Sequence, residues 1–449
     1  MRIIILGAGG VGFHLAKTLS QENHDIIIID SDARQIAKVT EQLDVMAVQG
    51  QGTGVSVLKQ AGIENTDMLL AVTSTDEVNL LACMIAQKFG VATRIARVRN
   101  EEYYGDIAVL SPDEMGVDLM INPELEAARE IVHIIRYPNV FDMVEFENGR
   151  IVLLGVQIDS ESPAVGQALS SFVPRYQDLT FRAVAISRQG KTIIPSGREV
   201  VMESDKYYLA VKQEMVEEVI HLASSRPQQI QNVMILGGGK ISRLTAAMLT
   251  EHKHINVKII ESNAEKSRRI AEELPNTMVV CGDGTDLDLL AQEGIGEMDM
   301  YLALTDDDEN NIVSSLLARH LKVSRTMTLI SRTDYMPIIK TIGLDVAVNP
   351  RFITSAAILK FIRRGAILSL NTLRGIDAET IEFAVTSRCE LAGKKLKEIN
   401  FPDGVIVGAI VHNDEVIVPI GESKINAEDR VIIFSLPEAV KKVEKMFTS

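Results

Sequence analysis

Gly7, Gly9 and Gly12 stand at Gly-x-Gly-x-x-Gly spacing, directly after the apolar run RIIIL and at the start of the amphipathic stretch VGFHLAKTLS. In that setting the first glycine permits a tight strand-to-helix turn, the second lets backbone approach a pyrophosphate, and the third lets helix pack on strand. Unpaired amides and partial positive charge at the helix start would face the phosphates, so Gly7, Ala8, Gly9, Gly10, Val11 and Gly12 form a candidate diphosphate turn. Asp30 ends the next apolar run, DIIIID, eighteen residues after Gly12. A carboxylate there can accept both ribose hydroxyls and repels a 2′-phosphate, which favours NAD or an adenosine nucleotide over NADP. The competing reading is a nucleotide-free fold that keeps its glycine turn.

A second copy of this pattern is less complete. Gly237, Gly238 and Gly239 are followed by Lys240, Ile241 and Ser242, with Ser in place of the third glycine, and Glu261 ends the run VKIIE. Lys240 could add a charge-assisted contact to phosphate or point to solvent. Further candidates lie where strands should end, the edge at which open α/β sheets bind ligands. Gln51, Gly52 and Thr53 follow the third apolar run and could border adenine, and Thr73 follows the fourth and could approach ribose or nicotinamide. Their counterparts are Asp283 to Thr285 and Thr305, and Arg97, ending the fifth run, could neutralise a diphosphate. Ordinary turn chemistry competes for each Thr and Gln.

No set of residues suggests catalysis. A dehydrogenase needs a proton donor or acceptor beside the nicotinamide. Tyr208 and Lys212 have Tyr-x-x-x-Lys spacing, but in the alternating segment DKYYLAVK; on a strand they would be about 13 Å apart. The eight histidines pair with no catalytic partner, and His252 and His254 flank Lys253 in a polar turn. Asp306, Asp307 and Asp308 read as helix-capping carboxylates more readily than as a cation site. Two nucleotide pockets without acid/base chemistry point to a sensor, in which ligand binding biases one of two shapes.

The elements that must position these residues follow from a duplication. IIILGAGGVGFHLAKTL (3–19) recurs as VMILGGGKISRLTAAML (233–249), and QGQGTGVSVLKQAGIENTDMLLAVTSTDEVNLL (49–81) recurs as CGDGTDLDLLAQEGIGEMDMYLALTDDDENNIV (281–313). GVDLMINPELEAAREI (116–131) recurs as GLDVAVNPRFITSAAI (343–358). Short Ile/Val/Leu runs alternate with longer amphipathic stretches, predicting βαβ units with strands near 2–6, 25–29, 44–48, 67–71, 93–98 and 117–121. Residues 140–223 alternate polar and apolar around turns such as Arg188-Gln189-Gly190 and close with a helix near 213–223. The predicted fold class is α/β, a tandem duplication of a Rossmann-like doubly wound parallel-sheet domain followed by a small α+β domain. The expected boundaries are 1–136, 140–223, 232–365 and 370–449, with SSRPQQIQ (224–231) as linker.

Composition bounds the setting. Among 449 residues the net charge is −15 with no Lys/Arg-rich block, which argues against nucleic acid and anionic lipid. No apolar run approaches the ~18 to 20 residues needed to span a bilayer, and the start MRIIILGAGG reads as strand and turn rather than signal peptide. A cytoplasmic protein is expected. Cys83, Cys281 and Cys389 lie far apart and read as reduced thiols.

MRIIILGAGGVGFHLAKTLSQENHDIIIID, TSTDEVNLLACMIAQKFG, IARVRNEEYY and GVDLMINPELEAAREI together resemble the TrkA family, regulatory subunits of Trk potassium-uptake systems within the wider group of domains that regulate potassium conductance. The likeness spans the whole chain. It implies a non-enzymatic nucleotide sensor that binds NAD or NADH, with ATP or ADP as alternatives. It further implies docking on the cytoplasmic face of a Trk-type membrane potassium transporter and assembly as a homo-oligomer, a dimer or tetrameric ring. Carried over by position, Gly7 to Gly12, Asp30, Thr73 and Arg97 border the first nucleotide, and Gly237 to Ser242 with Glu261 border the second. Some members carry Arg after the second glycine, reaching a neighbouring subunit's phosphates; here that position is Gly10, and Lys240 in the second half. Helices such as 123–135 would carry motion of the cleft to the partner, with Pro138, Gly149 and Gly155 as neighbours of a hinge or as ordinary turn residues. The rival readings are an NAD-dependent oxidoreductase and a scaffold with inactive nucleotide sites.

Overall fold

The computed structural model describes residues 1–449 except 23, 104–108, 138–139, 147–149, 173–180, 224–229, 253, 340, 367–370, 373–377, 387–388, 413–414 and 449. Most of the expected linker, and with it Pro138 and Gly149, therefore falls outside the described residues. The chain forms two units, one from Met1–His133 with Ile230–Phe361 and one from Ile134–Gln229 with Ile362–Ser449.

The first unit holds two copies of one parallel sheet. In the first half, β1 (Arg2–Leu6), β2 (Asp25–Asp30), β3 (Met46–Gln49), β4 (Met68–Ala71), β5 (Thr93–Arg97) and β6 (Leu119–Ile121) alternate with α1 (Gly10–Gln21), α2 (Ala33–Gln42), α3 (Val55–Gln60), α4 (Asp76–Lys88) and α5 (Pro123–Arg136). The order β3-β2-β1-β4-β5-β6 is that of a doubly wound Rossmann sheet, with the strand order reversing between β1 and β4. Ile3, Ile4 and Ile5 are all fully buried, as are Ile27, Ile28 and Ile29. Apolar side chains on both strand faces stabilise the sheet only when both faces are covered. Leu80, Cys83 and Ala86 of α4 supply part of that cover, packing with Leu69 and Ala96.

Beyond a small antiparallel sheet in chain order, the second half repeats the plan. The small sheet comprises β7 (Val140–Phe146), β8 (Ile151–Gln157), β9 (Phe181–Arg188), β10 (Lys191–Ile193) and β11 (Lys206–Lys212), with α6 (Leu169–Phe172) and α7 (Val216–Ala223). Then come β12 (Asn232–Leu236), β13 (Asn256–Glu261), β14 (Met278–Cys281), β15 (Met300–Ala303), β16 (Arg325–Leu329) and β17 (Val346–Val348), with α8 (Lys240–Thr250), α9 (Ala264–Glu273), α10 (Leu287–Gln292), α11 (Asp308–His320) and α12 (Pro350–Ala366). Their sheet order, β14-β13-β12-β15-β16-β17, matches the first copy.

The second unit pairs the small sheet with its repeat, β18 (Asn371–Thr372), β19 (Glu379–Ala384), β20 (Val405–His412), β21 (Glu415–Ile417) and β22 (Arg430–Ser435), closed by α13 (Pro437–Thr448). All pairings within both sheets are antiparallel. The sheets share a core in which Leu153, Val184 and Tyr208 pack with Ala409, Ile432 and Phe434. Gly155 lies inside β8, where a Cβ would come within 2.9 Å of Asp142 and the Phe141 ring. It is a close-packing position in a strand paired on both sides rather than a turn or hinge. Gln189 and Gly190 both take positive φ, 50° and 78°, the two-residue hairpin turn suited to strand twist.

Candidate functional site

The first cleft opens at the carboxyl ends of β1, β2, β4 and β5. Each glycine of the fingerprint answers a different demand. Gly7 has φ +102°, and a Cβ there would sit 3.1 Å from the Thr73 backbone. At Gly12 a Cβ would fall 1.8 Å from the Gly7 carbonyl oxygen, so only glycine lets α1 seat on the turn. Gly9 differs, because no atom of the described residues lies within 4 Å of the Cβ it lacks. The protein has no packing reason for a glycine at that point, and the open space beside the α1 amides is the cradle a pyrophosphate needs.

Asp30 is aimed by two amides. Its Oδ2 accepts from Ala8 N at 2.6 Å and its Oδ1 from Asp32 N at 2.8 Å. Each carboxylate oxygen retains acceptor capacity for a ribose hydroxyl. Gly7, Gly9, Gly10, Val11, Asp30, Gln51, Gly52, Thr53, Thr73 and Arg97 all line this one cleft, of about 800 Å³. Ala8 and Gly12 stand behind it, one holding Asp30 and the other the turn. Gly52 also has a packing role, since a Cβ would fall 1.7 Å from Leu6 Cδ1.

Arg97 donates from Nη1 to the Thr73 carbonyl at 3.1 Å, while its Nε is buried without a partner among the described residues. Burial lowers its pKa, as does the neighbouring Arg99. An anion in the cleft would relieve both effects.

The second cleft, of about 370 Å³, is lined by Gly237, Gly238, Gly239, Glu261, Asp283, Thr305 and their neighbours. Gly237 repeats the positive φ at +90°, and Ser242 is fully buried with its Oγ 3.5 Å from the Leu304 carbonyl. Glu261 accepts from Gly238 N at 2.9 Å and Asn263 N at 2.9 Å, and forms an ion pair with Lys266 at 2.6 Å. Burial alone would raise the Glu261 carboxyl; the Lys266 hydrogen bond and those two amides outweigh it and hold the group below its ordinary value. Asp283 accepts from Thr285 N and Oγ1, at 2.9 and 2.8 Å, which lowers its pKa.

Lys240, Ile241 and Ser242 do not line the second cleft. Lys240 Nζ reaches into the first half, donating to the Arg99 carbonyl at 2.7 Å and pairing with Glu101 at 3.1 Å. Ile241 lines the first cleft, together with Asp306, Ser331, Arg351 and Thr354 of the second half. Asp307 is the N-cap of α11, accepting from Asn310 N, and Asp308 accepts from Ser331 N and Arg332 N, so these two serve as cap and loop anchor, while Asp306 borders both clefts. Tyr208 and Lys212 share β11, and the buried Tyr208 hydroxyl donates to Asp142 at 2.7 Å. Among the described residues, no group of three or more His, Cys, Asp or Glu could hold a metal ion.

Asn79 and Asp76 escaped the sequence reading although both halves contain them. Asn79 is fully buried and ties Thr73 to the Arg97 carbonyl, as Asn311 ties Thr305 to the Leu329 carbonyl. Asp76 accepts from Arg99 N and Asn100 N, matching Asp308. The signal available was the Thr-x5-Asn spacing, present in both copies.

Fold and clefts define a tandem Rossmann-type protein with a glycine-turn cleft in each half and a paired antiparallel module. The family model of the TrkA-N domain matches residues 3–123 and 233–350, and that of the TrkA-C domain matches 153–224 and 380–448. The chain belongs to the TrkA family, and its role is regulatory and non-enzymatic. It is 36% identical to the Trk system potassium uptake protein TrkA homolog 1 of Methanosarcina mazei, and 35% identical to the Trk system potassium uptake protein TrkA of Azorhizobium caulinodans. The first alignment covers all of both chains, and the second all of this chain and 98% of its relative. Among solved structures, the GsuK channel bound to NAD superposes with TM-score 0.65 at 19% identity, over 100% of this chain and 79% of that one. The GsuK RCK domain gives TM-score 0.63 at 18% identity, over 100% and 95%. At these identities the likeness is one of fold.

Proposed function

We propose that this chain is the nucleotide-sensing subunit of a Trk-type potassium-uptake system, with NAD or NADH as the ligand of the first cleft and ATP or ADP as competing ligands. The observation that carries this reading is the open glycine: Gly9 has empty space where a side chain would go, between two glycines that the protein itself requires, with Asp30 aimed at the same cleft. The relatives named for potassium uptake and the GsuK structures described as bound to NAD and to ADP support the reading. The residues proposed to bind are Gly7, Gly9, Gly10, Val11, Asp30, Gln51, Gly52, Thr53, Thr73 and Arg97 in the first cleft and, in the second, Gly237 to Gly239, Glu261, Asp283 and Thr305. The domain boundaries we propose are 1–136, 140–223, 232–365 and 370–449.

Attachment to the membrane would run through the transporter on its cytoplasmic face, because no helix among the described residues is long and apolar enough to cross a membrane and the net charge of −15 disfavours anionic lipid. Assembly as a homo-oligomer is supported by apolar side chains exposed at matching positions, Leu81 and Met84 on α4 and Val313 and Leu316 on α11. Calorimetric titration with NADH and with ATP tests the ligand: wild type should bind NADH and Asp30→Ala should lose most of that affinity. Equal binding by both would remove Asp30 from the site, and no binding of either nucleotide would favour a scaffold with inactive clefts. Membranes that contain the cognate transporter should retain the protein, and membranes without it should not.

A further inference from the structure

The first cleft is not built by the first half alone. Asn349 Oδ1 accepts from Arg351 N at 2.9 Å and Phe352 N at 3.1 Å, fixing the start of α12. The Phe352 ring lies 4.8 Å from that of His14, which places the first turn of α12 against α1. From there the Arg351 side chain extends over the diphosphate turn. A Cβ at Gly10 would fall 2.5 Å from Arg351 Cδ and 2.9 Å from one of its Nη atoms, so glycine at this position makes room for an arginine 341 residues away.

We propose that Arg351 is a phosphate-binding residue of the first cleft, supplied by the second half, and that with Arg97 it clasps the phosphates of the bound nucleotide and ties the two halves together. Three observations carry this. Both guanidinium groups border the one cleft that contains the α1 amides, so two cations and the positive helix end converge there. Neighbouring cations are already paired, Arg99 with Glu124 and Lys240 with Glu101, whereas the Arg351 guanidinium has no hydrogen-bond or ion-pair partner among the described residues. The arrangement is also one-sided. Asn122-Pro123-Glu124 in the first half corresponds to Asn349-Pro350-Arg351, so the repeat offers a carboxylate where the second half offers a cation. The second cleft is lined by second-half residues alone. A clasp across the halves therefore exists for one cleft, and nucleotide entering it would be sensed by both.

This inference rests on the proposal that the first cleft binds nucleotide, and its test separates the two. Titrate the full chain with NADH, ADP and adenosine, using wild type, Asp30→Ala, Arg351→Ala and Arg351→Lys. Arg351 is exposed, so its replacement should leave the fold intact. Arg351→Ala should weaken NADH and ADP about ten- to a hundredfold, the usual worth of a charge-assisted contact, while adenosine changes less than twofold. Arg351→Lys should recover part of the loss. On adding NADH, hydrogen exchange at the first turn of α12 should slow in wild type and not in Arg351→Ala. If Arg351→Ala binds NADH and ADP as wild type does while Asp30→Ala does not, the clasp is overturned and the nucleotide site stands. An equal loss for adenosine would make Arg351 a structural residue and overturn the clasp. If wild type takes up none of the three, the nucleotide reading falls and the clasp with it.

Discussion

Asn79 holds Thr73 on three atoms: its Oδ1 accepts from the Thr73 amide at 2.9 Å and hydroxyl at 2.7 Å, and its Nδ2 donates to the Thr73 carbonyl at 3.2 Å. The same Nδ2 donates to the Arg97 carbonyl at 2.8 Å, so one fully buried side chain on α4 fixes the ends of β4 and β5 that border the first cleft. Asn79→Leu removes these bonds and leaves polar backbone groups unpaired. It should cost about 2 to 4 kcal/mol of stability, read as a lower denaturation midpoint. NADH affinity should fall as well, because Arg97 loses its anchor. A variant with unaltered midpoint would show that water replaces the amide.

The glycines of the turn separate by purpose, and substitution should show it. Gly12→Ala drives a methyl into the Gly7 carbonyl at 1.8 Å, and should destabilise the chain by roughly 3 kcal/mol or more or prevent folding. Gly9→Ala meets no atom of the described residues within 4 Å and should melt as wild type does. Its defect should appear only in calorimetry, as lost nucleotide affinity. Equal melting losses in the two variants would contradict a ligand-dedicated Gly9.

What the sequence could and could not reveal follows from distance along the chain. The apolar runs place β1 at 2–6 and β4 within one residue of its observed start, because strands buried on both faces leave continuous apolar stretches. Asp30 and the glycine turn were readable because strand, turn, helix and acid lie within about thirty residues, as the fingerprint requires. Ile241 and Arg351 in the first cleft were not, since local spacing carries no information on how two halves pack. Lys240 shows the same limit: its position in the motif suggests phosphate, while packing gives it Glu101 and the Arg99 carbonyl. The shared core of the two small sheets, Tyr208 near Phe434 among others, is likewise a product of tertiary packing.

The three thiols should differ sharply in reactivity. Burial pushes the Cys83 thiol up to about 12, Cys389 is also buried, and Cys281 is exposed at the end of β14. Since the thiolate is the reactive form, a maleimide or disulfide reagent at pH 8 should modify one thiol per native chain, and Cys281→Ser should abolish that reaction. Rapid modification of Cys83 in the folded protein would show that α4 opens readily from the sheet.

Glu261 makes a pH dependence that the second cleft should impose on stability. Its carboxyl is held below the ordinary value of 4.5 in the folded chain, with Lys266 as the principal favourable partner. A depressed folded value means the unfolded chain takes up the proton first. The contribution is therefore fully present above the unfolded value and is lost as pH falls through the folded one. Lys266 is about half exposed, so its removal should cost only about 1 kcal/mol at neutral pH. The expected result is a difference between wild type and Lys266→Met that is constant from pH 7 down to about 5 and shrinks below 4.5 as Glu261 protonates. Urea titrations at stepped pH measure it directly. A difference that persists unchanged at pH 3 would assign the effect of Lys266 to packing of its aliphatic stem instead of its charge.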